Sequence, residues 1–158
     1  MKIKRTRATT LISDASHCHQ TKAFGWALYI THTTQRANRQ INIYRSGGGD
    51  YCPNSIDAEE FAIQQGITLL SNQGLIHNRH VIIVSDCTSA LARIDRKVLK
   101  DHGARRISLR HIKGHQNKKF TEAHIQHKWC DRIARRIMQR YRKEYIGRIR
   151  NLLAGESQ

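Results

Sequence analysis

Acidic residues are scarce in this chain, 12 against 28 Lys and Arg, and the formal charge of +16 disfavours basic partners and favours polyanions. The natural polyanion is nucleic acid. Proline is nearly absent, with Pro53 alone, and no internal repeat or low-complexity tract divides the 158 residues. One compact domain over residues 8–153 is expected, ending in a basic helix, with a basic tail at 1–7 and a short tail at 154–158. An apolar content of 39% is enough for a single core when the apolar residues are well patterned. No apolar run approaches the roughly 20 residues that a membrane span needs, so no membrane partner is expected. The start, Met1-Lys2-Ile3-Lys4-Arg5-Thr6-Arg7, is basic but leads into no apolar segment, which argues against a secretory signal and for a cytoplasmic location. Cys18, Cys52, Cys87 and Cys130 form no C-x-x-C pair, so neither a zinc site nor a redox motif is expected, and the thiols are read as reduced. No small-molecule cofactor is indicated, and the shared positive charge favours a monomer.

The patterning predicts an α/β domain. Residues 8–16, 24–31 and 40–45 read as strands, the third ending in a turn at Gly47-Gly48-Gly49-Asp50. Short links between them suggest an antiparallel meander. Ile63, Ile67 and Leu70 lie at helical spacing in 57–70, with Ser55 or Asp57 as the N-cap. Val81-Ile82-Ile83-Val84 has the continuous apolar run of a central strand buried on both faces. A strand, a helix and a strand in this order imply a right-handed crossover with parallel pairing. A short helix at 88–94, a basic linker at 96–100 and a fifth strand at 107–112 follow. The last helix is expected over 121–153, with Trp129, Ile133, Ile137 and Tyr141 along one stripe. The expected architecture is a mixed five-stranded sheet, three antiparallel strands and then parallel ones, flanked by helices.

Four acids stand where buried elements end or turn inward. Asp14 follows Leu11-Ile12, Asp86 ends the run 81–84, Glu59 lies one turn before Ile63, and Asp131 sits between Trp129 and Ile133 in the last helix. Each alone has an ordinary reading: a turn residue, a helix cap, a first-turn acid, a partner for Arg135 one turn on. Together, in a chain so poor in acids, they describe two strand ends and two helices converging on one point. A buried carboxylate is costly without a cation or hydrogen bonds to compensate it. Oxygen-rich sites suit Mg²⁺ or Mn²⁺, and two such ions about 3.5–4 Å apart support in-line displacement at a phosphodiester.

The segments Ile12-Ser13-Asp14-Ala15-Ser16, Ala58-Glu59-Glu60-Phe61-Ala62-Ile63, Val84-Ser85-Asp86, His111-Ile112-Lys113-Gly114-His115 and Trp129-Cys130-Asp131-Arg132-Ile133-Ala134 resemble type 1 ribonuclease H in order, spacing and element type. The resemblance covers residues from about 10 to 138. It implies a ribonuclease H-like fold and hydrolysis of the RNA strand of RNA–DNA hybrids, leaving 5′-phosphate and 3′-hydroxyl ends. It implies that Asp14, Glu59, Asp86 and Asp131 ligate two Mg²⁺ ions, with Mn²⁺ as a possible substitute. It further implies that His115, in the loop after the fifth strand, assists catalysis by moving protons or promoting product release, work suited to an imidazole.

Some positions depart from the family pattern. Ala15 stands where glycine is common, and the carboxylate of Asp14 remains. Glu60 adjoins Glu59 and is a second candidate, although Ala62 and Ile63 fit the family register from Glu59. The asparagine often found four residues before the last aspartate is His127, and the loop between His115 and Asp131 is longer than in the common bacterial pattern.

Hybrid recognition requires contacts to 2′-hydroxyls on one strand and to the backbone of the other. Ser16 and Thr88, beside Asp14 and Asp86, are the candidates that the resemblance suggests. The last helix carries Arg132, Arg135, Arg136, Arg140, Arg142, Lys143, Arg148 and Arg150 against Glu144 alone over residues 132–150. Its ordinary reading is a solvated face, and a basic amphipathic helix can also lie on anionic lipid. Contact of Arg140 and Lys143 with hybrid phosphates is the expectation here. Two rival functions share the fold: a DNA junction resolvase-like nuclease, and a non-catalytic nucleic-acid-binding module.

Overall fold

The structure is a computed structural model, and it describes residues 7–33, 41–113 and 121–155. Its strands are β1 (Ala8–His17), β2 (Ala23–Thr33), β3 (Ile41–Tyr51), β4 (His80–Ser85) and β5 (Arg106–His111). The helices are α1 (Ser55–Asn72), α2 (Thr88–Ala92), α3 (Arg96–Asp101) and α4 (Glu122–Gly155). The strands form one sheet in the order β3-β2-β1-β4-β5. β1 and β3 pair antiparallel with β2, and β4 pairs parallel with β1 and β5. The expected mixed sheet is therefore present.

The alternation of side chains along a strand divides the core between the two faces. Leu11, Leu28, Ile30 and Ile83 pack on one face with Ile63, Ile67 and Leu70 of α1, Leu91 of α2 and Leu99 of α3. Ile12, Ala27 and Val84, each one residue out of phase, pack on the other face against Cys130 and Ala134 of α4. β1 is central, with Leu11 and Ile12 both fully buried, so Ser13 and Asp14, which follow them, are held in a low-dielectric setting.

Four local expectations are corrected. Gly47-Gly48-Gly49-Asp50 is no turn: β3 runs through it in register with β2, from Thr33↔Ile41 to Ala23↔Tyr51. The glycines are there because α4 and Trp26 lie too close for side chains. A Cβ on Gly49 would meet the Tyr141 ring at 2.6 Å, and one on Gly47 the Trp26 carbonyl oxygen at 2.9 Å. The basic linker at 96–100 is the helix α3, capped by Asp95, whose side chain accepts from Lys97 N–H at 2.8 Å. The N-cap of α1 is Asn54 rather than Ser55 or Asp57, with Asn54 Oδ1 accepting from Asp57 N–H at 2.9 Å. In α4 the buried stripe is Gln126, His127, Cys130 and Ala134, while Trp129, Ile133, Ile137 and Tyr141 flank it half-buried. The packing centre is set by the small residues Cys130 and Ala134, which let the helix approach β1 and β2 closely.

Candidate active site

The interior strands β1 and β4 and the helix α1 bring three carboxylates together. Asp14 lies two residues beyond Ile12 in β1, on the face that α4 covers, and is 4% exposed. Glu59 shares the inward face of α1 with Ala62 and Ile63 and is 8% exposed. The Ala15 N–H donates to Glu59 Oε1 at 3.2 Å, tying α1 to β1 one residue past Asp14. The other oxygen, Oε2, is buried and has no partner. Asp86 directly follows β4, half-buried, and its backbone carbonyl accepts from His111 Nε2 at 3.0 Å.

Glu60, the alternative to Glu59, faces elsewhere. Arg93 pairs with it at 2.9 Å and with Asp57 at 2.9 Å, so one guanidinium holds two acids of α1 away from the cluster and leaves Glu59 to face Asp14.

The opposite wall is α4. His127 Nε2 lies 3.8 Å from Asp14 Oδ1 and 3.8 Å from Asp86 Oδ1. Those separations exceed a hydrogen bond. Nε2 is buried without a hydrogen-bond partner. One donor atom from each of Asp14, Asp86 and His127 falls within 4.8 Å of the others, so a small inward shift would let one cation be shared. Asp131, one turn further along α4, sits at the rim and is held by Arg135 at 2.9 and 3.3 Å. Its charge still acts on Asp14 and His127.

The electrostatics follow from this crowding. Burial pushes Asp14 up to about 7; His127 opposes that rise, and the charges of Asp86 and Asp131 add to it. Glu59 is pushed up to about 9, by burial first and then by Asp14 and Asp86. Asp86 is lowered by its contact with His127, which outweighs its own burial. Burial alone would lower His127, but contact with Asp86 and the charges of Asp14, Asp86 and Asp131 raise it.

Asp14, Glu59 and Asp86 are thus brought together, and Asp131 stands at the edge of the group. His115 lies outside the described residues. Ser16 is partly exposed in β1 two residues past Asp14, and Thr88 is exposed at the start of α2. Arg140 and Lys143 are exposed further along α4, with Arg140 5.6 Å over the Tyr141 ring and 3.9 Å from Glu144. His127 is the residue that sequence reasoning passed over as a departure. Its signal was the spacing 127, 130 and 134, which places it on the same buried stripe as Cys130 and Ala134.

No protein-family model matches the chain, and no curated protein matches it. Solved structures do. The chain superimposes on LC11-RNase H1 in complex with RNA/DNA hybrid with a TM-score of 0.56 at 9% identity, over 84% of this chain and 98% of that one. The N-terminal RNase H domain of a Mycobacterium tuberculosis protein gives 0.57 at 11% identity, over 87% and 97%. Prototype foamy virus protease-reverse transcriptase gives 0.55 at 14% identity over 84% of this chain, which spans only 21% of that protein's length. These likenesses show a ribonuclease H-like fold. Among the described residues no helix is long and apolar enough to cross a membrane.

Proposed function

We propose that the chain is a metal-dependent endoribonuclease that hydrolyses the RNA strand of RNA–DNA hybrids, leaving 5′-phosphate and 3′-hydroxyl ends. The observation that carries this reading is the convergence of Asp14, Glu59 and Asp86 from three separate elements in a chain with a formal charge of +16. The donor set suits divalent cations. Buried carboxylates pushed toward neutrality, one oxygen of Glu59 without a partner, and half-exposed acids at the rim are the signs of a site whose charge balance is completed by a cation. Asp14, Glu59, Asp86 and Asp131 would hold two Mg²⁺ or Mn²⁺ ions. Bound there, such ions supply charge stabilisation and activation of water for phosphodiester hydrolysis.

The residues of the chain divide the remaining work. The Ala15 N–H orients Glu59, and Arg93 keeps Glu60 and Asp57 from competing for the cation. Burial of Asp14 between Ile12 and α4 keeps bulk water from one side of the site. His115, assigned by resemblance, would give or take a proton at an imidazole nitrogen. Ser16 and Thr88 are the small polar groups assigned to the hybrid, and Arg140 and Lys143 are assigned to its phosphates. A cytoplasmic, monomeric protein completes this reading, in keeping with four free cysteines among the described residues.

The test is cleavage of end-labelled RNA–DNA, RNA–RNA, DNA–DNA and junction substrates, with Mg²⁺ or EDTA, by wild type and Asp86→Asn. Metal-dependent cutting of the RNA in the hybrid alone, lost in the variant, is the expected result. Cutting of DNA would move the protein to the resolvase-like class, and binding without cutting would make it a module.

A further inference from the structure

We infer that His127 is itself a metal ligand through Nε2, completing a mixed nitrogen–oxygen site with Asp14 and Asp86 that selects Mn²⁺-type cations over Mg²⁺. The inference rests on the reading of the carboxylate cluster as a metal site and adds the identity of one ligand and of the preferred ion.

Three observations carry it. First, Nε2 lies 3.8 Å from a carboxylate oxygen on either side. Two donors bound to one ion at about 2.0–2.2 Å lie at most about 4.4 Å apart, so both contacts are within the reach of a single cation. Second, His127 is 8% exposed and Nε2 has no hydrogen-bond partner. A buried ring nitrogen left unsatisfied is destabilising, a penalty that ligation removes. Third, this combination is specific to His127. Among the described residues, His17 and His32 also bury an unpartnered ring nitrogen, yet neither makes an ion-pair contact with a carboxylate. His32 instead stacks on Tyr44 and feels the charge of Arg79.

The choice of ion follows from donor chemistry. Mg²⁺ is hard, binds oxygen and keeps most of its waters, whereas first-row transition ions accept an imidazole nitrogen more readily, least at Mn²⁺ and increasingly along the row, so Mn²⁺ is the mildest test of the preference. Asp131, tied to Arg135 and outside the three-donor group, leaves the imidazole as the inward-facing donor that α4 offers. An asparagine at position 127 would present a neutral oxygen or an amide instead, and the preference would move back toward Mg²⁺.

The experiment uses the full chain with Mn²⁺ as the probe. Binding is followed by the loss of the free-ion EPR signal, and pulsed EPR on frozen samples reads nitrogen coupling to the bound ion. Wild type is expected to show ¹⁴N coupling that becomes ¹⁵N coupling after labelling with ¹⁵N-histidine, which tests ligation without altering the fold. His127→Asn is expected to lose the coupling, weaken Mn²⁺ binding at least about tenfold and change Mg²⁺ binding, read by calorimetry, by less than about threefold. Bound Mn²⁺ that Asp86→Asn releases, with no nitrogen coupling in wild type, would overturn this inference and leave the proposed function standing. Coupling that persists in His127→Asn would also overturn it, since another histidine would then be the ligand. No binding of Mn²⁺ to wild type would overturn both.

Discussion

Gly25 in β2 and Ala134 in α4 touch backbone to backbone: a Cβ on Gly25 would overlap the Ala134 carbonyl oxygen and come within 2.5 Å of Met138 N. Neither obstacle is the end of a movable side chain. Gly25→Ala must therefore push the helix away from the sheet, and overpacking of this kind costs about 1–3 kcal/mol or more. Urea unfolding should show a lower midpoint by that amount. Because His127 and Asp131 ride on α4, metal affinity should fall in the same variant, and an unchanged midpoint would mean that the helix is not seated as described.

Glu59 and Glu60 are neighbours with opposite fates. Glu59→Gln should abolish metal-dependent cleavage, since it removes the buried carboxylate beside Asp14. Glu60→Gln removes an exposed partner of Arg93 and should leave kcat within about threefold and stability within about 1 kcal/mol. A comparison of kcat for the two variants decides the assignment, and equal losses would count against it.

The same burial predicts how the metal-free protein responds to pH. Asp14 rises from 3.8 to about 7 and Glu59 from 4.5 to about 9, so the folded state holds these protons more tightly than the unfolded chain. Stability from these groups is complete below their unfolded values and is lost as pH rises through the folded ones. His127, also raised, acts in the same direction, while Asp86, lowered, contributes stability that is lost as pH falls. In EDTA the Tm of Glu59→Gln should gain on that of wild type from about pH 5 to about pH 9. Saturating Mn²⁺ should raise the wild-type Tm and shrink the difference.

Arg140, Lys143 and Arg148 lie exposed on α4. Replacing all three with Gln should raise KM for the hybrid and flatten its dependence on salt, because each phosphate contact releases counterions. Steady-state cleavage at three salt concentrations measures the slope, and an unaltered slope would assign these residues to solvation alone.

Where the sequence was legible, a local rule and the tertiary demand agreed. Val81 to Val84 read as a buried strand because nothing polar interrupts them, and Glu59 was legible as inward-facing from its spacing to Ile63. Gly47 to Gly49 misled because glycine serves two ends: local chemistry says turn, whereas these three make room for Tyr141, Trp26 and Ile137. α3 was hidden because its cap, Asp95, precedes a run of charges with little apolar pattern, leaving Leu99 as its single buried anchor. His127 was obscured by the large flanking residues of α4, which drew the apolar stripe toward Trp129 and Ile133. Its burial depends on the small side chains of Cys130 and Ala134, and smallness carries no periodic signal.

The contact of Cys130 Sγ with the Ile12 carbonyl closes 118 residues of chain, and it seats the helix that faces Asp14. Synthesis proceeds from β1 toward α4 at about 5–20 residues per second, so about 6–24 s separate the emergence of Ile12 from that of its partner. Throughout that interval the nascent polypeptide has Asp14 without the α4 wall, including His127, that faces it. Under the proposed function, cleavage has to wait until α4 has emerged and packed, which spares the nucleic acids that surround the ribosome until then.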